Sequence, residues 1–243
     1  MLEAFGWGLL AASSLLVGGL LVILLPIGPR LLGVVMAFGG GVLISATSFE
    51  LVEEAFQTSG LLSDVAYGLF AGCAVYAIGD AVIDRFGGAE RKSSSGAQAS
   101  GAPLASVLGI VLDGIPESAV IGLTLLEGGA VSVAMLVAVF VSNVPESVAA
   151  TSGLLAAGWR RATVFVLWGV VALASAVASL AGFALFDGAS PSVVAFVLAF
   201  AGGAILTMLA DTMMPEAFAH GGKLVGVFTT LGFATAFAIS AFE

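Results

Sequence analysis

Val111-Leu112-Asp113-Gly114-Ile115-Pro116-Glu117-Ser118-Ala119-Val120 sets two carboxylates and a proline in the middle of an otherwise apolar stretch. The same pattern returns further along as Ser142-Asn143-Val144-Pro145-Glu146-Ser147, again inside apolar sequence. Each copy is flanked by about ten uncharged residues on either side, so Asp113, Glu117 and Glu146 fall near the centre of segments of membrane-spanning length. Burying an Asp at the centre of a membrane helix costs about 2.5–3.5 kcal/mol. Taking the same value for Glu, three such groups cost roughly 8–10 kcal/mol unless something offsets them. No Lys or Arg lies inside an apolar segment, so the offset falls to protons or a bound cation.

The whole chain fits that setting. Its 243 residues are 60% hydrophobic and 9% charged, with a mean hydropathy of +1.16. These values, and apolar runs too long for barrel strands, predict an all-α polytopic membrane protein in one transmembrane domain spanning 1–243. The 33 glycines suit close helix packing in a bilayer. A net charge of −9 argues against nucleic-acid binding and favours cations as partners. The single cysteine, Cys73, excludes an internal disulfide. Met1-Leu2-Glu3 lacks the basic start of a secretory signal, so the first apolar run reads as a retained span.

Punctuation by Pro, Gly and charge divides the chain into eight segments, at about 5–25, 31–55, 61–83, 103–126, 130–157, 162–186, 191–214 and 224–242. Between the third and fourth lies a Gly/Ser/Ala-rich stretch, 84–102, expected to be a flexible cytoplasmic loop. All seven basic residues fall in odd-numbered loops: Arg30, then Arg85, Arg91 and Lys92, then Arg160 and Arg161, then Lys223. The positive-inside rule makes those loops cytoplasmic and sets both termini outside, in a multi-pass protein of the plasma membrane.

A second repeat joins the two ends of the chain. Ala37-Phe38-Gly39-Gly40-Gly41 matches Ala199-Phe200-Ala201-Gly202-Gly203, a spacing of 162 residues (199 less 37). At the same spacing Glu54-Ala55-Phe56 matches Glu216-Ala217-Phe218. Segments two and seven cross in opposite senses, as do segments four and five. An inverted repeat of the 3+2+3 kind produces both relations, with a binding site between helices four and five. Chance likeness among Gly/Ala/Phe-rich helices is the plain alternative for the outer pair.

On segment four, Asp113 and Glu117 share one helical face; on segment five, Ser142 and Asn143 share one with Glu146. Pro116 and Pro145 cannot bond to the carbonyls of Leu112 and Val141 and are expected to kink the helices and release those oxygens. Facing one another, the two helices would offer an all-oxygen cage for a divalent cation. The competing reading is that protonated Glu117 and Glu146 only hydrogen-bond between helices. Glu50, Glu53 and Glu54 should gather at the outer mouth, with Asp211, Glu216 and His220 toward the cytoplasm. Both groups suit either passing ligands or solvated helix ends.

These residues resemble the ZIP (Zrt-, Irt-like) metal transporters, which have eight spans, outward termini, a variable third loop and His-Asn-x-Pro-Glu-Gly-type motifs in spans four and five. The resemblance puts Glu117 and Glu146 on the family's metal-bridging glutamates, Pro116 and Pro145 on its prolines and Asn143 on a metal-ligating position. It replaces the motif histidines by Asp113 and Ser142, and the glycines after Glu by Ser118 and Ser147. Span two ends Glu50-Leu51-Val52-Glu53-Glu54-Ala55, similar to the family's His-Leu-Leu-Pro-Glu-Ala; span seven carries Pro215-Glu216-Ala217 with His220 nearby. The resemblance implies transport of a divalent cation (Zn²⁺, Mn²⁺ or Fe²⁺) into the cytoplasm, with the metal as substrate, no enzyme activity and no organic cofactor. The lipid bilayer is the other implied partner, and a homodimer is open. Span six has no acidic residue and the third loop no histidine. One oxygen-ligated metal is therefore expected, and the loss of imidazole shifts preference from zinc toward harder cations such as Mn²⁺. The same acids could instead carry protons or a monovalent cation. An intramembrane aspartyl protease fits less well, since Ala77-Ile78-Gly79-Asp80 lacks the first glycine of a Gly-x-Gly-Asp motif.

Overall fold

The computed structural model describes residues 1–87, 103–128 and 131–242, and every regular element among them is a helix. They are α1 (Leu2–Leu24), α2 (Pro29–Ala46), α3 (Glu54–Ser59), α4 (Leu62–Arg85), α5 (Pro103–Gly128), α6 (Val133–Ala156), α7 (Arg161–Phe186), α8 (Pro191–Met208), α9 (Met214–Gly221) and α10 (Val225–Ser240). A π-helical segment, Thr47–Glu53, carries α2 into α3, and another, Leu209–Met213, carries α8 into α9. Among the described residues seven helical runs are long and apolar enough to cross a membrane, with mean hydropathies of 1.5 to 2.4. The last of them, Pro191–Ser240, is 50 residues long. It is interrupted at Gly222, whose φ of 57° opens a 3₁₀ turn over Gly222–Leu224 and suits a residue without Cβ. Of the linker expected at 84–102, α4 takes the residues up to Arg85; Arg91 and Lys92 lie outside the described residues.

Residue choice at the helix ends follows familiar physics. Pro29 and Pro191 stand in the first turns of α2 and α8, where the missing N–H leaves no intrahelical bond unmade. Ser132 caps α6, its hydroxyl accepting from the backbone N–H of Met135 at 3.0 Å.

The buried core runs through α2, α5, α6 and α8, while α4 turns most of its surface outward. Helix α4 lies along α8, and α10 lies along α2; α1 packs between α6 and α7, and α7 also lies along α5. Glycine makes these approaches possible. A Cβ on Gly41 would fall on the Thr229 carbonyl of α10, and one on Gly232 would fall on the Phe38 carbonyl of α2. The α4–α8 pair repeats this arrangement, with Gly72 against the Phe200 carbonyl and Gly203 against that of Leu69. Backbones touching through hydrogen atoms gain the dispersion contacts that replace hydrophobic driving force inside a bilayer.

Helix α2 also fixes the two ends of the bundle. Near its start, Gly33 abuts Ala217, His220 and Gly221; in the π segment that continues it, Glu50 meets Ser132 and Ser240. Seventeen residues separate Gly33 from Glu50, or about 25 Å of helix.

Candidate cation site

Helices α5 and α6 run unbroken through Pro116 and Pro145, so the repeated units remain helical. The Val141 carbonyl, which Pro145 cannot hydrogen-bond, lies beside Gly39 of α2. Asp113 and Glu117 are 2% and 1% exposed, Asn143 and Glu146 7% and 9%. Asp113 stands ten residues into α5 and Glu146 ten residues before the end of α6, each roughly 15 Å from the nearer helix end.

One small cavity gathers residues from both units. Asp113 and Gly114 of α5 line it together with Asn143, Glu146 and Ser147 of α6. Leu15 of α1 and Trp168, Val171 and Ser175 of α7 close it, and no Lys or Arg is in its wall. Its volume is about 20 Å³, room for one water or one bare cation. The polar wall is therefore two carboxylates, one amide and two hydroxyls, with oxygen as the donor atom throughout. Against models of known protein families the chain finds no match, and it finds none among curated proteins. The chemistry of this wall is what the functional reading stands on.

The wall differs in membership from the set expected from the motifs. Glu117 is buried one turn beyond Asp113 but does not line the cavity. Ser142 is fully buried against Gly39, and its hydroxyl donates to the Val139 carbonyl of its own helix at 3.1 Å. Among the described residues no three His, Cys, Asp or Glu side chains form a ready-made metal cluster. Any cation here would be held by Asp113 and Glu146 with Asn143 as the neutral third donor.

Three residues around the cavity carry no signal in the motifs. Tyr76 of α4, 2% exposed, donates its phenol O–H to Oδ1 of Asp113. Trp168 donates its indole N–H to Oγ1 of Thr151 at 2.8 Å, locking α7 to α6 beside the wall. Ser175 faces Gly114 across the α5–α7 contact. A tyrosine in mid-span needs a buried acceptor, and that requirement is the trace Tyr76 leaves in the sequence. Ser175 leaves none.

Of the residues expected at the two mouths, Glu50, Glu53 and Glu54 lie beyond the far end of α2, and Glu216 and His220 lie beside its start; Asp211 lies between the two, on the π segment whose Leu209 and Met213 meet Gly40 of α2. Glu50 accepts the hydroxyl of Ser132 at 2.7 Å on Oε2 and that of Ser240 at 2.6 Å on Oε1, so one carboxylate ties the π segment to the start of α6 and the end of α10. Glu53 is exposed and accepts from Gln57 at 3.1 Å. Glu54, with Asp187, lines a bowl of about 340 Å³ at this end. At the other end Glu216 and His220 pair on one turn of α9, His220 Nδ1 lying 3.0 Å from the Glu216 carbonyl and 3.4 Å from its Oε1. Asp211 is exposed within the second π segment.

Proposed function

We propose that the chain carries a divalent metal cation across the membrane, into the cytoplasm, by way of the cavity between α5 and α6. The observation that carries this reading is a mid-helix pocket of cation size walled by Asp113, Asn143 and Glu146, with no basic side chain in the wall. Two anionic ligands and a neutral amide suit a dication, whose charge would meet the cost of keeping both carboxylates ionised. A wall of oxygen donors without imidazole or thiolate suits a harder cation such as Mn²⁺ better than it suits Zn²⁺. Glu54 and Asp187 form an acidic bowl that would concentrate cations at one mouth, and Glu216 with His220 would receive them at the other.

The architecture we assign to this activity is eight crossings in a 3+2+3 inverted repeat, as in the ZIP family the motifs resemble. Support comes from Gly222, which breaks the 50-residue run Pro191–Ser240 into two successive helical lengths. Further support comes from features that recur at the 162-residue spacing: Pro29 and Pro191, the π segments beginning at Thr47 and Leu209, and Gly41 and Gly203 against their neighbours' carbonyls. The placing of both termini outside rests on the distribution of Lys and Arg, and plasma-membrane residence completes the proposal.

The test is uptake of Mn²⁺, Fe²⁺ and Zn²⁺ into proteoliposomes holding the wild type, Asp113→Asn or Glu146→Gln. Saturable uptake lost in both variants, with folding retained, is the expected result. Proton flux that needs no metal, abolished by the same substitutions, would replace the reading with a proton pathway.

A further inference from the structure

We propose that Tyr76 is a positioning residue of the cation site, holding Asp113 in the orientation that presents its carboxylate to the cavity; this rests on the transport reading above. The observation is the hydrogen bond from the Tyr76 phenol to Oδ1 of Asp113, made between two side chains that are each 2% exposed.

The placement of Tyr76 follows from α4 itself. Val65, Gly68, Gly72 and Tyr76 recur at helical spacing and are the buried residues of that helix; Tyr67, Phe70, Val75 and Ile78 face outward. Gly68 and Gly72 let α4 come against the α8 backbone, which brings the ring of Tyr76 into the core. A phenol O–H there must find an acceptor or forfeit its hydrogen bond. It finds Asp113.

Geometry separates this role from ligation. Asp113 lines the cavity and Tyr76 does not, so the phenol meets the carboxylate from outside the wall. Asp has several staggered side-chain orientations, and a buried bond to one oxygen selects among them before any cation arrives. Partners of this kind behind a metal ligand are worth about 10–100-fold in metal affinity.

The chain has only two tyrosines, and the other, Tyr67, is 70% exposed. Protein grown on 3-fluorotyrosine therefore gives two ¹⁹F resonances, assigned with Tyr67→Phe. Cd²⁺, which is diamagnetic, should move the Tyr76 resonance and leave that of Tyr67 in place. Calorimetry should find Cd²⁺ binding weakened about 10–100-fold by Tyr76→Phe. In an Asp113→Ala background, where the acceptor is gone, the same substitution should cost the residual Cd²⁺ affinity almost nothing further.

Equal losses in both backgrounds would mean that Tyr76 does not act through Asp113, and the proposal would fall. It would fall equally if Tyr76→Phe bound Cd²⁺ normally while Asp113→Asn and Glu146→Gln did not, a result that leaves the cation site standing. If the wild type bound no divalent cation, the transport reading itself would fail and the role of Tyr76 with it. Should Tyr76→Phe not fold, the ¹⁹F titration of the wild type decides: a Tyr76 resonance unmoved at saturating Cd²⁺ overturns the proposal.

Discussion

Replacing Glu50 with Ala should unfasten three elements at once. Its carboxylate accepts Ser132 at 2.7 Å and Ser240 at 2.6 Å, joining the π segment Thr47–Glu53 to the first turn of α6 and the last turn of α10. Hydrogen bonds between membrane helices contribute about 0.6–2 kcal/mol each, and bonds to a charged acceptor lie at or above the top of that range. Two of them, half-shielded from solvent, give about 2–4 kcal/mol. For a chain of this size about 1 kcal/mol corresponds to 2–4 °C, so the expected loss is about 5–15 °C in the melting temperature. Glu50→Gln keeps an acceptor oxygen and should lose about half as much. The assay is thermal unfolding in detergent, followed alongside Cd²⁺ calorimetry, because Glu50 lies outside the cavity and midplane affinity should stay within a factor of about two. An unchanged melting temperature combined with slowed uptake would refute the clamp and make Glu50 a ligand on the path.

Three further outcomes are expected. Cation affinity falls as pH is lowered, because protons and metal compete for the oxygens of Asp113 and Glu146; a dissociation constant flat from about pH 7 to about pH 3, through the ordinary carboxylate range, contradicts a carboxylate site. Gly41→Ala forces a methyl onto the Thr229 carbonyl and should destabilise by about 1–3 kcal/mol. Gly169→Ala meets nothing within 4 Å and should be neutral or stabilise by up to about 1 kcal/mol, so equal effects in the two melting curves would undo the close-packing account. Glu54→Gln with Asp187→Asn should slow uptake at low ionic strength and much less at high salt; a salt-independent effect would exclude electrostatic concentration at that mouth.

Much of the helical plan was legible because it depends on local properties. Apolar runs bounded by Pro29, Gly60 and Pro191 set where helices start and stop, and the repeated Pro-Glu-Ser unit pointed to Asp113, Asn143 and Glu146. Rotation of one helix against its neighbours is a tertiary property, and the misses lie there. Asp113 and Glu117 share a face of α5, yet only Asp113 reaches the cavity; Ser142 shares one with Glu146 but packs on Gly39. Tyr76 sits 37 positions from its acceptor on another helix, and Ser132 and Ser240 approach Glu50 from 82 and 190 positions away. No short-range pattern encodes such pairings. The π segments were equally invisible, since a shift in backbone register leaves no mark on composition or on the spacing of apolar side chains.

Those two segments change what the chain can lose. Where α2 and α8 widen, each hydrogen-bonded loop encloses one residue more than an α-helical turn does. A single-residue deletion within Thr47–Glu53 or Leu209–Met213 can therefore be absorbed by the backbone tightening into an ordinary helix. The same deletion just before Glu146 would swing that carboxylate about 100° around its axis and out of the cavity. Tolerance of length change should thus concentrate at two places along the chain, both well inside transmembrane-length helices rather than in the loops that join them. The yield of folded protein from a one-residue deletion scan would map them directly.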